Sequence, residues 1–352
     1  MIDWTASMEQ TFEYYTVNPI TWKDVKRLDN VTACSITRDS TVDTLGSATI
    51  DITESVGESY IRIYLIVIQN GVNYKLPLGT FLIQTPSSKF DGKTRSVSMD
   101  AYTPLIELKE NRPPIGYYIP KRDMVMKWVS DLAKEWLRAP VTGAFSDTKL
   151  TYDFVADPNE TWMTFLSDLA LNAKFTFDLD ELGRVFFSPK RDTASLQPVW
   201  TYTDDNSSIL YPELTINHDI YGIPNVVEVI ASTTEGCFSH TVTNDDPNSP
   251  TSTVNRGRKI TDRITNPDIL GTVNQERIEE YAKQRLRDLS TVEYTISYTH
   301  AYCPARVGDC VRLNYTRAGL TNIKARVISQ SIKCEPGCPV TEKAVFTKKL
   351  WG

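Results

Sequence analysis

"ESYIRIYLIVIQNGVNYKLPLGTFLIQT", Glu58–Thr85, holds two apolar runs on either side of the dipeptide Asn70-Gly71. Asn-Gly accepts two successive left-handed backbone conformations, so this stretch predicts a two-residue hairpin between long strands. The following segment, "SKFDGKTRSVSMDAY" (Ser88–Tyr102), offers a further turn at Asp91-Gly92, after which Val97, Met99 and Ala101 alternate with polar residues. Alternation with period two lays one apolar face along a strand. Consecutive antiparallel strands bury such a face by closing or packing, and a small barrel over residues 1–112 is the expectation.

Pro113-Pro114 then breaks the chain and the period changes. "DMVMKWVSDLAKEWLRAP" (Asp123–Pro140) sets Val125, Trp128, Val129, Leu132 and Trp136 on one stripe, with Asp123 as N-cap and Pro140 as stop. "DPNETWMTFLSDLALNAKF" (Asp157–Phe175) repeats the design with Trp162, Phe165, Leu166 and Leu169. Trp128 and Trp162 are the expected core anchors of the two helices. "KFTFDLDELGRVFFSP" (Lys174–Pro189) reads as a hairpin whose turn runs from Asp178 to Gly183. Helix, helix and hairpin make an α/β unit over 113–200.

Strands resume at "IPNVVEVIAST" (Ile223–Thr233). "NDDPNSPTSTVNRG" (Asn244–Gly257) is a polar loop expected to be exposed or ordered by a partner, and "NQERIEEYAKQRLRDLS" (Asn274–Ser290) is an amphipathic helix with Ile278, Tyr281, Ala282 and Leu286 inward. "TVEYTISYTH" (Thr291–His300) puts Val292, Tyr294, Ile296 and Tyr298 on one strand face, and "DCVRLNY", "NIKARVISQSI" and "EKAVFTKKL" complete a second strand-rich block. Gly79–Tyr102 and Asn322–Thr347 share a layout of long strand, Gly-containing turn and returning strand, which suggests a duplicated barrel. The fold class read from these patterns is mainly β with α+β additions. It comprises two antiparallel β-barrels (1–112, and 205–240 with 290–352), the α/β unit, and an insertion over 241–289.

Composition narrows the function. A net charge of -6 over 352 residues leaves no basic footprint for a polyanion. "IYLIVI" (Ile63–Ile68) is too short to span a bilayer, and the first ten residues lack the apolar run of a secretory signal. The six cysteines then read as reduced thiols.

"HAYCPARVGDCVRLNY" (His300–Tyr315) invites a metal reading, since His300, Cys303, Cys310, Cys334 and Cys338 outnumber the ligands zinc needs. Their C-x6-C and C-x3-C spacings depart from the paired C-x2-C of zinc sites. The competing reading makes Cys310 a small apolar strand residue and sets Cys334 and Cys338 about the turn "EPG", with a labile disulfide as a third possibility. In that reading Gly308 and Asp309 carry the information, as a structural turn that starts a strand. Asp178–Gly183 matches the opening of a calcium loop, but Pro189 stands where the bidentate Glu belongs, and a hairpin turn explains it with less. His218, His240 and His300 sit in no catalytic motif, and Asp245-Asp246 lack the rigid cleft a glycosidase needs. No cofactor is implied, and an assembly protein is favoured over an enzyme.

The order of segments resembles the tail-hub, or baseplate-hub, proteins of tailed bacteriophages and contractile injection systems. "ETWMTFLSDLALNAKFTFDLDELGRVFFSP" is similar to that family's helix and hairpin, "IPNVVEVIAS" to its NVV-V strand, and "RVGDCVRL" to its Gly-Asp turn. One departure is Asn172-Ala173, where the family pattern has Gly after the helix. The resemblance implies a homotrimer presenting six barrels, a ring that adapts a sixfold tail tube to a threefold spike or fibre at the tail tip. It implies as partners a distal-tail or tail-tube ring protein, a spike, fibre or tip protein and the tape measure protein, with DNA passing through an acidic lumen. It implies a place in the virion after assembly in the host cytoplasm. A cell-wall hydrolase and a receptor-binding β-protein are the alternatives; the first would need a further domain after "KKLWG", and the second an exposed aromatic groove.

Overall fold

The computed structural model describes residues 2–54, 56–90, 92–93, 95–191, 193–205, 208–233, 236–267 and 273–352. They divide into a larger unit, residues 1–214 with 298–344, and a smaller one, 215–297 with 345–352.

The chain opens with β1 (Glu9–Val17), β2 (Asp24–Arg27), β3 (Val31–Asp39), β4 (Gly46–Ile52), β5 (Tyr60–Gln69), β6 (Val72–Phe90) and β7 (Arg95–Tyr102). β5 and β6 meet at Asn70-Gly71, where φ is +53° and +74° and Gln69 faces Val72. Of the second expected turn, Asp91 lies outside the described residues. β5 is buried along nearly its whole length because both faces are covered. Ile61, Ile63, Leu65 and Val67 pack with Ile36, Ile50 and Met99, whereas Tyr60 belongs to the core under the helices.

Next come α1 (Ile106–Glu110), β8 (Tyr118–Ile119), α2 (Val125–Trp136), β9 (Phe154–Val155), α3 (Trp162–Asn172), β10 (Phe175–Leu179) and β11 (Val185–Pro189). Asp123 does not cap α2. Met124 holds that position, and the Asp123 carboxylate instead accepts from the Trp128 indole N–H at 2.9 Å. The helix ends well before Pro140, because Leu137 already has extended backbone. α3 is capped by Thr161, whose hydroxyl accepts from the N–H of Thr164 at 3.2 Å.

The remaining elements are β12 (Trp200–Thr203), β13 (Leu210–His218), β14 (Val226–Thr233), β15 (Gly236–Thr243), α4 (Thr253–Arg256), β16 (Thr261–Thr265), α5 (Gln275–Leu289), β17 (Thr291–Ala301), β18 (Cys310–Tyr315), β19 (Leu320–Lys333) and β20 (Pro339–Lys349). The chain passes between the units within β13, β17 and β20.

The main ladder runs β13-β17-β20-β19-β3-β4-β7-β6-β5-β1-β2, with β18 on β19 and β12 parallel to β18. The architecture is therefore mainly β with a few helices. Among the described residues the ladder does not return on itself, so the two closed barrels read from the sequence are not what the hydrogen bonds draw. The reason lies in β3, which spends one edge on β4 (Ile36 opposite Ala48) and the other on β19 (Ile36 opposite Ile332). Strands from the two ends of the chain thereby join one sheet.

In the smaller unit β14 lies between β15 and β16, and Val227, Val229 and Ala231 pack against Ile278, Ala282 and Leu286 of α5. The loop over 244–257 is exposed, as expected, at Asp245, Pro247, Asn248, Pro250 and Val254, but it is not unburied throughout. Asn244, Ser249, Thr251 and Ser252 are buried. The Asn244 side-chain amide donates to Ser249 (2.8 Å), and that of Asn255 to the carbonyls of Pro247 and Ser249 (both 2.8 Å). Short amide and hydroxyl side chains satisfy the loop's own backbone, so it buries polar groups without a partner chain.

Candidate functional site: a charged cavity beside the Gly308 turn

One wall of the site is the β10–β11 hairpin. α3 ends where Lys174 takes the left-handed conformation (φ +61°), the position that Gly fills in many helix ends. The chain then reverses into β10, with Phe177 opposite Phe187. Trp162 anchors α3 from inside, 1% exposed and stacked on Trp136 at 5.5 Å between ring centres. Trp128 is only partly buried against the same core.

At the hairpin tip Gly183 has φ +73°, and a Cβ there would stand 2.7 Å from the Cβ of Thr80. The residue is thus required twice, by its conformation and by its contact. The neighbouring carbonyl of Leu182 accepts from the Trp22 indole at 2.7 Å and from the buried Arg62 at 3.1 Å. These bonds clamp the tip to the β1–β2 connection and to β5. Asp178 stands in β10, one step before the turn, and accepts from the Ser188 hydroxyl and the Leu179 N–H, both at 2.8 Å. The turn itself is closed by Asp180, which accepts from the Arg184 N–H at 2.8 Å.

The opposite wall is the turn before β18. Gly308 has φ +93°, and its N–H donates to the carbonyl of Val327 at 2.8 Å. The Asp309 carboxylate accepts from the Arg306 N–H at 2.9 Å. Asp178, Gly183, Gly308 and Asp309 all line one cavity of about 460 Å³. Across it Glu181 bonds Arg306 at 2.7 Å and lies 3.8 Å from Arg38 of β3.

Burial pushes the Asp178 carboxyl above the usual carboxylate range, against the pull of Ser188, Leu179 N–H and Arg306. Asp309 is also raised by burial, with the negative charge of Asp178 adding to the effect. Among the described residues no histidine or cysteine lines this cavity. Among the described residues no group of three or more His, Cys, Asp and Glu is arranged to hold a metal ion. The chemistry on offer is electrostatic. Glu181 holds guanidinium groups from β3 and from the β18 turn, so the cavity joins three separated stretches of chain.

The histidine and cysteines proposed as zinc ligands are split among three places. Cys310 begins β18 as a buried apolar residue, and Cys334 packs beside Cys34 near Cys338. His300 and Cys303 join a sealed cluster with Glu342, Tyr298, Tyr202 and Gln330, all at most 2% exposed. His300 is buried because it continues the inward face of β17 begun by Ile296 and Tyr298. Its Nδ1 faces the carbonyl of Ala301 at 2.7 Å and its Nε2 the Glu342 carboxylate at 3.3 Å. Nε2 also meets the Tyr202 hydroxyl at 3.0 Å, which can donate or accept, so it is the neighbouring Glu342 carboxylate that favours the charged ring. Burial alone would lower its pKa; Cys303 and Glu342 outweigh that and raise it to about 10. Glu342 also accepts from the Tyr298 hydroxyl and from the Gln330 amide at 2.8 Å.

Sequence reading missed Arg38, Glu181 and Arg306 as a group, since nothing in their spacing announces a meeting of positions so far apart. It also missed the role of Glu342. The signal available was its place on β20, where it alternates with the buried Val340 and Ala344.

No family model matches the sequence, and a search of curated proteins finds no match. Solved structures do match. The tail protein from Neisseria meningitidis MC58 is similar over 97% of this chain and 98% of its own, with a TM-score of 0.61 at 14% identity. The 43 kDa tail protein of prophage MuSo2 from Shewanella oneidensis matches over 96% of this chain and 98% of its own, at 0.60 and 13%. A chain of a PdpA–VgrG complex matches 97% of this chain but 65% of its own, at 0.55 and 9%. At such identities the likeness is one of fold: this chain is built on the fold of phage tail proteins.

Proposed function

We propose that this chain is a non-catalytic structural subunit of a phage-type tail tip, assembling as a homotrimeric hub ring. The observation that carries the reading is a fold shared over nearly the whole length of this chain and of two tail proteins, one of them from a prophage, not over one domain of them. In this reading residues 1–112 and 205–240 with 290–352 act as two strand-rich modules that need not close into barrels, 113–200 as the α/β unit and 241–289 as an insertion. Three subunits then offer six similar modules, which suits an adaptor between a sixfold tube and a threefold spike or fibre. The partners are a distal-tail or tail-tube ring, a tip protein and the tape measure protein. The net charge of -6 supports a lumen that passes DNA without holding it. The likeness to a chain of the PdpA–VgrG complex supports extending the reading to injection systems.

Electron microscopy of the purified chain, alone and mixed with a tail-tube ring protein, tests it. A threefold ring with a central channel is expected. A monomer in both preparations overturns the reading, as does clearing of cell wall in a zymogram.

A further inference from the structure

We propose that Cys34 and Cys334 form a covalent modification site, a thiol pair that closes to a cross-strand disulfide by exchange with a low-molecular-weight disulfide.

The backbone sets the pair up. β3 and β19 run antiparallel with Ile36 opposite Ile332 and Ser35 opposite Lys333. One step further the register brings Cys34 opposite Cys334, and the N–H of Cys334 donates to the carbonyl of Cys34 at 3.0 Å. Directly opposed residues of antiparallel strands have Cα atoms about 4.5–5.5 Å apart, within the roughly 4.4–6.8 Å that disulfides span. Opposed residues also send their side chains to the same face. Both thiols are free, and both belong to the core that contains Tyr14. The Cys34 thiol and the Tyr14 hydroxyl lie close enough to the Cys334 sulfur to act on its ionisation.

A third thiol lies close by. Cys338 ends the turn after β19, its N–H donating to the carbonyl of Glu335 at 2.8 Å, and it is fully buried. Cys334 is only partly buried, so it is the sulfur a reagent meets first. Its thiolate attacks one sulfur of the small disulfide, expelling one small thiolate and leaving a mixed disulfide on Cys334. Cys34 releases its proton and attacks the Cys334 sulfur, expelling the second small thiolate. Two electrons and two hydrogens thus pass from the protein to the reagent, which leaves as two thiols. The neighbouring Cys34 thiol, then burial, hold the Cys334 thiol well above its usual range, so exchange is slow at neutral pH and accelerates in alkali. The bond would fasten β3 to β19, the same junction that merges the strands of the two chain ends. The site rests on these two strands alone, whatever the chain assembles with.

The test treats the folded full-length chain with oxidised glutathione, blocks remaining thiols by alkylation, and maps cross-links by proteolysis and mass spectrometry. A Cys34–Cys334 cross-link is expected, forming up to about tenfold faster per pH unit while the thiol stays protonated. Cys338→Ser should keep the cross-link; Cys34→Ser should lose it and retain glutathione on Cys334. A cross-link mapping to Cys334 and Cys338 overturns the proposal. So does a wild-type chain that keeps both thiols after prolonged treatment, or that closes them only in urea. The wild-type map decides the matter even if a variant fails to fold.

Discussion

The cavity beside the Gly308 turn and the sealed cluster around Glu342 are built from the same kinds of group: carboxylates, a cation, hydroxyls. In the cavity, loss of water leads. Asp178 and Asp309 are raised because burial outweighs the few donors each receives. In the sealed cluster the supply of partners leads. His300 is more deeply buried, yet its acceptors lift it to about 10 against the burial effect. The direction is the same and the cause is opposite. Burial therefore does not by itself decide which charged groups a fold retains; the geometry of their partners does.

The largest expected effect breaks the sealed cluster. Glu342→Ala leaves the His300 imidazolium without its counter-charge in a dry interior, which should lower stability by about 3–5 kcal/mol in urea unfolding. A loss below about 1 kcal/mol would mean that the cluster holds no buried ion pair. The same cluster has a pH signature. A histidine raised from 6.5 to about 10 contributes stability that is complete below pH 6.5 and disappears as pH climbs through about 10. Unfolding midpoints should fall across that window, and His300→Gln should flatten the fall.

Next in size is Gly308→Val. A β-branched residue at φ +93° should cost about 1–3 kcal/mol, whereas Gly308→Asn should cost less, since Asn tolerates left-handed backbone. Equal losses for both variants would show that the turn is not held by its conformation. Asp178→Asn comes next and sharpens the contrast with Glu342. A carboxyl raised by burial makes the folded state hold its proton more tightly, so its contribution is present at low pH and is lost as pH rises above the ordinary carboxylate value. Removing it should leave stability at neutral pH unchanged or slightly higher, and should weaken that acid-side slope. The smallest effect is expected for Cys310→Ala, within about 1 kcal/mol, because Cys310 serves as a small apolar strand residue. Loss of folding with Cys310→Ala would bring back a ligand role for that thiol.

Much of this was legible along the chain wherever neighbours in sequence decide the outcome. Asn70-Gly71 turned as expected because its φ requirements are local. The stripe of α5 gave its inward face as Ile278, Tyr281, Ala282 and Leu286; three of these are buried and Tyr281 is partly buried against the same core, since helical periodicity alone selects the face. Capping was harder. Asp123 had the right chemistry and a nearby competitor, the Trp128 indole, that took its carboxylate. In part the polar loop at 244–257 misled, because composition counts groups that want water without counting how well they bond one another.

Strand and helix periods, turn dipeptides and the parity that buries His300 were properties of the sequence by itself, because each depends on residues within a few positions of one another. The open ladder, the pairing of β3 with β19, the Arg38–Glu181–Arg306 bridge and the opposition of Cys34 to Cys334 were decided by the tertiary structure alone. Their partners come from distant parts of the chain. Local periodicity states which face a strand buries, and it carries no information on which strand will meet it.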